Sequence, residues 1–123
     1  MPTADQIRST VESYVKMMTA GDADGITALY ADEASVEDPI GAPLVRGRDA
    51  IRKWYGASAG KVRLALEGPI RVAGGEAAFA MVGTVGTPER PMYIDIIDVM
   101  AFDAAGKIVA MRAFWSADAI RKG

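Results

Sequence analysis

Apolar positions change their spacing midway along the chain: a recurrence close to the helical period of about 3.6 gives way, beyond Tyr55, to alternation by two. Helices followed by a sheet are the expected outcome. Thr3, Ala4, Asp5 and Gln6 carry the spacing of a capping box, and Ile7, Val11, Tyr14, Val15 and Met18 then fall on one helical face. Gly21 ends that helix. Asp22 is placed to cap a short second helix that carries Ile26, Leu29 and Tyr30 inward, with Asp32 and Glu33 leading out. An extended piece over residues 34–38 follows, ended by Pro39 and Gly41, with Ala34, Val36 and Asp38 on one face and Ser35 and Glu37 on the other. A third helix presents Ile51, Trp54 and Tyr55 on one side.

The alternating half predicts strands over 62–67 continuing through 70–72, then 77–85, 93–102 and 108–115. Turns fall at Gly74 and Gly75, around Pro88, and over 103–106. Consecutive hairpins make the sheet mainly antiparallel. Three N-terminal helices packed on one side of such a curved sheet give an α+β cone that encloses an apolar pocket. The last strand sends Met111, Ala113 and Trp115 to one face and Arg112 and Phe114 to the other. One face is expected to line the pocket. The other, with Ile97, Val99 and Phe114, is expected to be the interface of a homodimer.

Length and composition narrow the possibilities. With 123 residues, half of them hydrophobic, the chain reads as one domain over 1–123. A net charge of −2 with both signs scattered leaves no basic stripe for nucleic acid or anionic membranes. No apolar run is long enough for membrane insertion, and Met1 through Asp5 do not resemble a signal peptide, so a cytoplasmic location is expected. Histidine and cysteine are both absent. That inventory removes His bases, Cys nucleophiles, His or Cys metal ligands and disulfides. Acid–base work is left to Asp, Glu, Tyr or Lys.

Against that inventory, Asp98 stands out, since it lies within a run, residues 93–102, that otherwise reads as a strand with two apolar faces. Alternation points it the same way as Ile94, Ile96, Met100 and Phe102, whereas Asp95 points away with Ile97 and Val99. An ionised, unpaired carboxylate on an apolar face is disfavoured, so the group tends to take up a proton and become a neutral donor. A donor in an apolar cavity fits oxyanion chemistry. The structural alternatives are a bulge, an edge position, or a buried ion pair with Arg112 or Arg71.

Three pieces stand together: Tyr14 on the first helix, the run Ser35-Val36-Glu37-Asp38-Pro39, and the run Ile97-Asp98-Val99-Met100-Ala101-Phe102. In order and spacing they resemble the bacterial steroid Δ5-3-ketoisomerases, or ketosteroid isomerases, of the NTF2-like, SnoaL-like superfamily. Matching stretches at Gly21-Asp22, Gly47-Arg48, Gly106-Lys107 and from Met111 to Ser116 carry the resemblance nearly end to end. It implies an NTF2-like cone. It implies that Asp38 is the general base taking a proton from steroid C4 and returning it to C6, that Tyr14 hydrogen-bonds the C3 oxygen, and that Asp98 is a protonated acid donating beside it. Ketosteroid isomerases are a standard example of an ionised base paired with a neutral, strongly perturbed acid, and that pairing is taken from the family. Tyr30 and Tyr55 resemble the supporting tyrosines of a hydrogen-bond chain to Tyr14. Met111 and Trp115 resemble steroid-contacting wall residues, joined by Ile94, Ile96 and Met100 from the Asp98 face.

The ligand so implied is a steroid or similar flat apolar ketone, with no metal or organic cofactor. The chain departs from the family over 84–91, which is shorter and richer in proline, at 57–61, and in the tail after Trp115. Two other functions remain open on the same fold: a SnoaL-like polyketide cyclase using Asp38, and a noncatalytic module for small-molecule binding or dimerisation. An epoxide hydrolase needs an Asp-Arg-Asp set, for which Arg112 is poorly placed because it faces away from Trp115.

Overall fold

The computed structural model describes residues 1–123. Helix α1 spans Ala4–Ala20, and its capping box forms in both directions: the Gln6 amide donates to the Thr3 hydroxyl at 3.1 Å and the Thr3 amide to the Gln6 side chain at 2.8 Å. Its buried residues are Ile7, Val11, Tyr14, Val15 and Met18, the face read from the spacing. Gly21 closes the helix with φ 78°, a left-handed cap that a side chain would strain. The Asp22 carboxylate accepts from the Gly25 amide at 2.9 Å and starts helix α2, Ala23–Ala28. Helix α3 spans Arg48–Ser58 and buries Ile51 and Tyr55, with Trp54 at its margin.

One expectation is corrected here. Tyr30 is not on the second helix but is the first residue of strand β1, Tyr30–Glu37. The helix gives way because the Leu29 carbonyl accepts from the Ile108 amide at 2.9 Å, which starts a pairing with a strand nearly eighty residues away. The Arg48 guanidinium bonds the Tyr30 carbonyl and the Asp32 carboxylate, fixing the entry to β1. Local patterning contains neither partner.

The remaining strands are β2 Val45–Arg46, β3 Arg63–Ala73, β4 Glu76–Gly86, β5 Pro91–Phe102, β6 Ile108–Phe114 and β7 Ile120–Lys122, with a short 3-10 turn at Ala117–Ala119. Their order is β2-β1-β6-β5-β4-β3. All pairings are antiparallel except β1 with β6, which is parallel. Strand β3 bends through a register shift between Glu67 and Arg71, where Gly68 takes φ 75°, and this joins the two pieces expected there. Neither β2 nor β7 was legible in the pattern. Each is short and exists only through its partner: β2 lies against Ser35 and Val36, and β7 pairs the Met92 to Ile94 end of β5 that β6 leaves uncovered.

The helices cover the concave face of this sheet, and eighteen buried hydrophobic residues fill the space between the layers. Tyr14, Tyr30 and Tyr55 are all within that core, each no more than 2 % exposed. No helix is long and apolar enough to cross a membrane.

Candidate active site

Between α1 and the concave face of β3, β4, β5 and β6 the packing stops short and leaves a cavity of about 360 Å³. Eleven of its fifteen lining residues are hydrophobic, Tyr14 among them; the other four are Asp38, Asp98, Ser58 and Lys61. Volume alone does not mark it. A cavity of about 550 Å³ beside Met1, Gln6 and Gly106 is larger, yet no titratable side chain lines it. Convergent polar groups in an apolar surround are what distinguish a reactive site.

Asp98 is 2 % exposed. Its neighbours across the sheet are Phe79 on β4 and Ala113 on β6, both equally buried, and its Oδ1 has no hydrogen-bond partner. The ion pair with Arg112 or Arg71 is absent: Arg112 lies over the Phe114 ring at 5.4 Å, on the other side of the sheet, and the Arg71 side chain bonds the Pro69 carbonyl. Burial therefore pushes the Asp98 carboxyl well above the usual carboxylate range, and the charge of Asp38 pushes it further. Burial thus favours the neutral acid, the form that has a proton to donate.

Asp38 sits one residue beyond β1. The parallel register ends with Glu37 beside Arg112, and Asp38 lines the same cavity as Ala113, whose neighbour on β5 is Asp98. The Trp115 indole donates to the Asp38 carboxylate at 2.8 Å. Partial burial raises the Asp38 carboxyl and the indole bond opposes the rise, so the charged form is retained more readily than at Asp98. Two carboxyls in one cavity are held in unequal environments. That inequality is what separates a base from an acid.

Tyr14 enters from α1. Its hydroxyl accepts from Tyr55 at 3.4 Å, and Tyr55 is bonded to Tyr30 at 2.6 Å, so the three phenols form a chain from β1 through α3 to α1. For Tyr55 to donate toward Tyr14, Tyr30 must donate to Tyr55. Tyr14, already an acceptor, is left to donate into the cavity, and a phenol that accepts one hydrogen bond donates a stronger one. The rings of Tyr14 and Tyr55 meet edge to face at 6.1 Å. Burial holds the Tyr14 phenol well above its ordinary value, so it remains protonated.

The SnoaL-like domain model matches residues 11–111. This chain belongs to the SnoaL-like family. Within it, the chain is 44% identical over 112 residues to a steroid Delta-isomerase of Nocardioides simplex, covering 90% of each protein. Among solved structures it is similar to SalBIII, an epoxide hydrolase/cyclase-like enzyme with a role in pyran ring formation in the polyether salinomycin. The TM-score is 0.87, the identity 26%, and 98% of each chain is covered.

In this SnoaL-like domain Ile94, Ile96 and Trp115 line the cavity with Tyr14, Asp38 and Asp98. Met100 and Met111 do not. They face each other across β5 and β6, essentially without exposure, and pack in the core behind the site. The residues share a face with Asp98 and Trp115, but only the part of that face beyond Ala113 opens onto the cavity. Lining residues that the sequence reading passed over include Met18, Leu64, Met81, Ala113 and the pair Ser58 and Lys61. Ala113 had a signal: a small residue between large ones on the inward face of the last strand. The others are ordinary core or loop positions in sequence.

Proposed function

We propose that this protein is a steroid Δ5-3-ketoisomerase, which moves the C=C bond of a 3-oxo-Δ5-steroid into conjugation by carrying a proton from C4 to C6. The observation that carries the reading is the pair of unequal acids: Asp98 buried without a hydrogen-bond partner for Oδ1, and Asp38 held by the Trp115 indole in the same apolar cavity. Its identity to the steroid isomerase of Nocardioides simplex supports it.

Asp38 removes the C4 proton. Negative charge then collects on the C3 oxygen of the dienolate, where Tyr14 and neutral Asp98 donate; donors fixed in advance in a low-dielectric site stabilise that charge better than mobile water. The proton stays on Asp38 and is delivered to C6 on the same face, and the apolar walls keep water from exchanging it. Tyr30 and Tyr55 act through Tyr14, holding its oxygen as an acceptor. The cavity lies toward the small end of the range of about 300–1,000 Å³ usual for ligand sites, which suits one flat ring system.

The epoxide hydrolase reading finds no support in the lining, since no arginine reaches the cavity and its charged residues are Asp38, Asp98 and Lys61. The enzyme is proposed to act as a cytoplasmic homodimer. Ile97 and Phe114 are paired directly across β5 and β6 and are 50 % and 42 % exposed on the convex face, a contiguous apolar patch suited to a second copy. Sedimentation equilibrium at micromolar concentration should give twice the 13.0 kDa of the chain; a monomer would remove the dimer.

The direct test is to supply a 3-oxo-Δ5-steroid and follow the ultraviolet absorbance of the conjugated enone. Asp38→Asn should lose about 10²–10⁴ of the rate while retaining affinity for the product steroid, because only the base is removed. Near-parental turnover by that variant would shift the base to Glu37.

A further inference from the structure

Along the buried face of β4 the side chains run Ala77, Phe79 and Met81, and the next residue on that face is Gly83, which is buried as well. A glycine inside a strand has nothing to pack and costs stability, so one on an inner face marks a place where something else comes close. Gly83 pairs with Leu64 on β3 and with Ile94 on β5, and both of these line the active-site cavity. Ile94 and Asp98 point the same way from β5, about 13 Å apart along the strand at its usual rise per residue. Gly83 therefore lies beneath the end of the cavity remote from the oxyanion donors.

Three side chains occupy the space that Gly83 leaves. A β-carbon at this position would stand 2.9 Å from Val62 Cγ2, 3.3 Å from Ile96 Cδ1 and 3.5 Å from Leu64 Cδ2. The first two separations are shorter than the optimal carbon–carbon contact of about 3.5–4.0 Å, so those side chains would have to move. Val62, Leu64 and Ile96 all line the cavity. They lean over Gly83, and the cavity floor is lower there for it. The backbone beneath is paired on both sides, which leaves the cavity as the open direction for any displacement. Gly83 is not among the glycines with positive φ, so the backbone itself accepts a side chain.

We infer that Gly83 is a specificity-determining position: the space it leaves lets Val62, Leu64 and Ile96 lie low enough for the outer rings of a flat polycyclic ketone to fit above them. The assignment rests on the isomerase reading for the end of the ligand that lies at Asp98. With the ketone oxygen at Tyr14 and Asp98, the rings remote from it lie over the row of Leu64, Gly83 and Ile94, whereas a one-ring ligand ends short of that row. Gly83 acts through three neighbouring side chains and touches no reacting atom. Its effect therefore falls on binding of the ring system and not on proton transfer.

The test compares the parent protein, Gly83→Ala, and Gly83→Ala combined with Val62→Ala. Calorimetry gives the binding of a four-ring 3-oxo-Δ4-steroid and of phenol as the one-ring ligand, and enone absorbance gives the turnover of a 3-oxo-Δ5-steroid. Gly83→Ala should weaken the steroid about tenfold, the low end of what one methylene is worth in an apolar pocket, and leave phenol within about twofold of parent. KM for the Δ5-steroid should rise in step while kcat stays within about twofold, the pattern of lost uniform binding. Adding Val62→Ala removes the methyl group that the new carbon meets first, and most of the steroid affinity should return. Unchanged steroid affinity in Gly83→Ala, an equal loss for phenol, or no recovery in the double variant would overturn the assignment. Failure of Gly83→Ala to fold would do the same, because the three side chains would then have no room to yield. Steroid affinity lost and recovered across the three proteins, with no turnover by the parent, leaves the role of Gly83 and removes the isomerase. Turnover by all three with equal affinities leaves the isomerase and removes the role of Gly83.

Discussion

Asp95 and Asp98 lie three positions apart on one strand and meet opposite fates. Asp95 faces the convex side, in water, and accepts from both Nε and Nη2 of Arg121 at 2.9 and 2.7 Å, which together hold its carboxyl below the ordinary range. Asp98 faces the concave side, between Phe79 and Ala113, with Oδ1 unpartnered and its carboxyl raised by burial. The residue type is the same and the strand is the same. An odd step along a pleated strand changes the solvent, and the solvent changes the protonation state. On the outer face a carboxylate is a surface charge; on the inner face burial favours the protonated form, which can donate a hydrogen bond.

The largest effect should come from removing the side chains. Asp98→Leu is expected to lower kcat for a 3-oxo-Δ5-steroid by ~10²–10³, the usual consequence of losing one oxyanion donor, and Asp98→Asn by much less because the amide still donates. Asp95→Leu should leave kcat close to parental. Equal losses at the two positions would mean that Asp98 supports the fold and not the reaction.

Next in size is the effect of weakening the tyrosine chain. Tyr55→Phe keeps the ring packing but removes the hydroxyl that donates to Tyr14, so kcat should fall several-fold, on the scale of about 1 kcal/mol for one hydrogen bond. The loss should be smaller than that of Asp98→Leu, because Tyr14 itself remains. A Tyr55→Phe variant as slow as Asp98→Leu would make the chain, and not the donor pair, the dominant element.

Stability offers a third comparison, with a definite sign. A carboxyl whose folded pKa is raised binds more protons in the folded state than in the unfolded one, so stability is full at pH below the unfolded value and is lost as pH climbs toward the folded value. Asp98→Asn removes that dependence. The variant should gain on the parent in urea unfolding as pH rises from about 4 toward neutrality and beyond, with little difference below the ordinary carboxyl value. Asp95 has the reverse sign, since its lowered pKa contributes stability that is lost as pH falls, and its exposure makes that contribution slight. A gap between Asp98→Asn and parent that narrows with rising pH would indicate an ionised Asp98.

The smallest effect is expected on the outer face. Arg121→Ala frees Asp95, and thermal melts should move little, with whatever difference exists fading as salt screens the pair. A large loss would show that β7, which reaches the sheet through Arg121 and its neighbours, is needed to hold the end of β5.

Much of this molecule is determined by short-range rules that operate within the sequence. The capping box and the apolar stripe place α1 and put Tyr14 on its buried face, alternation separates Asp98 from Asp95, and the lack of histidine and cysteine restricts the chemistry to carboxyls, phenols and amines. Each of these follows from the direction in which a side chain leaves its own backbone. The tertiary structure decides what occupies the space that the side chain enters. It moves Tyr30 from helix to strand through the parallel pairing of β1 with β6 and brings its hydroxyl to Tyr55, and it brings Asp38 and Asp98 into one cavity. It fills the space around Met100 and Met111 while leaving it open beside Ile94 and Ile96. It brings residues 60–63 and 84–88 to the walls of one cavity. Periodicity determines which side of an element a residue faces, but whether that side is packed, wet or hollow depends on strands and helices distant in the chain, whose positions no local pattern contains.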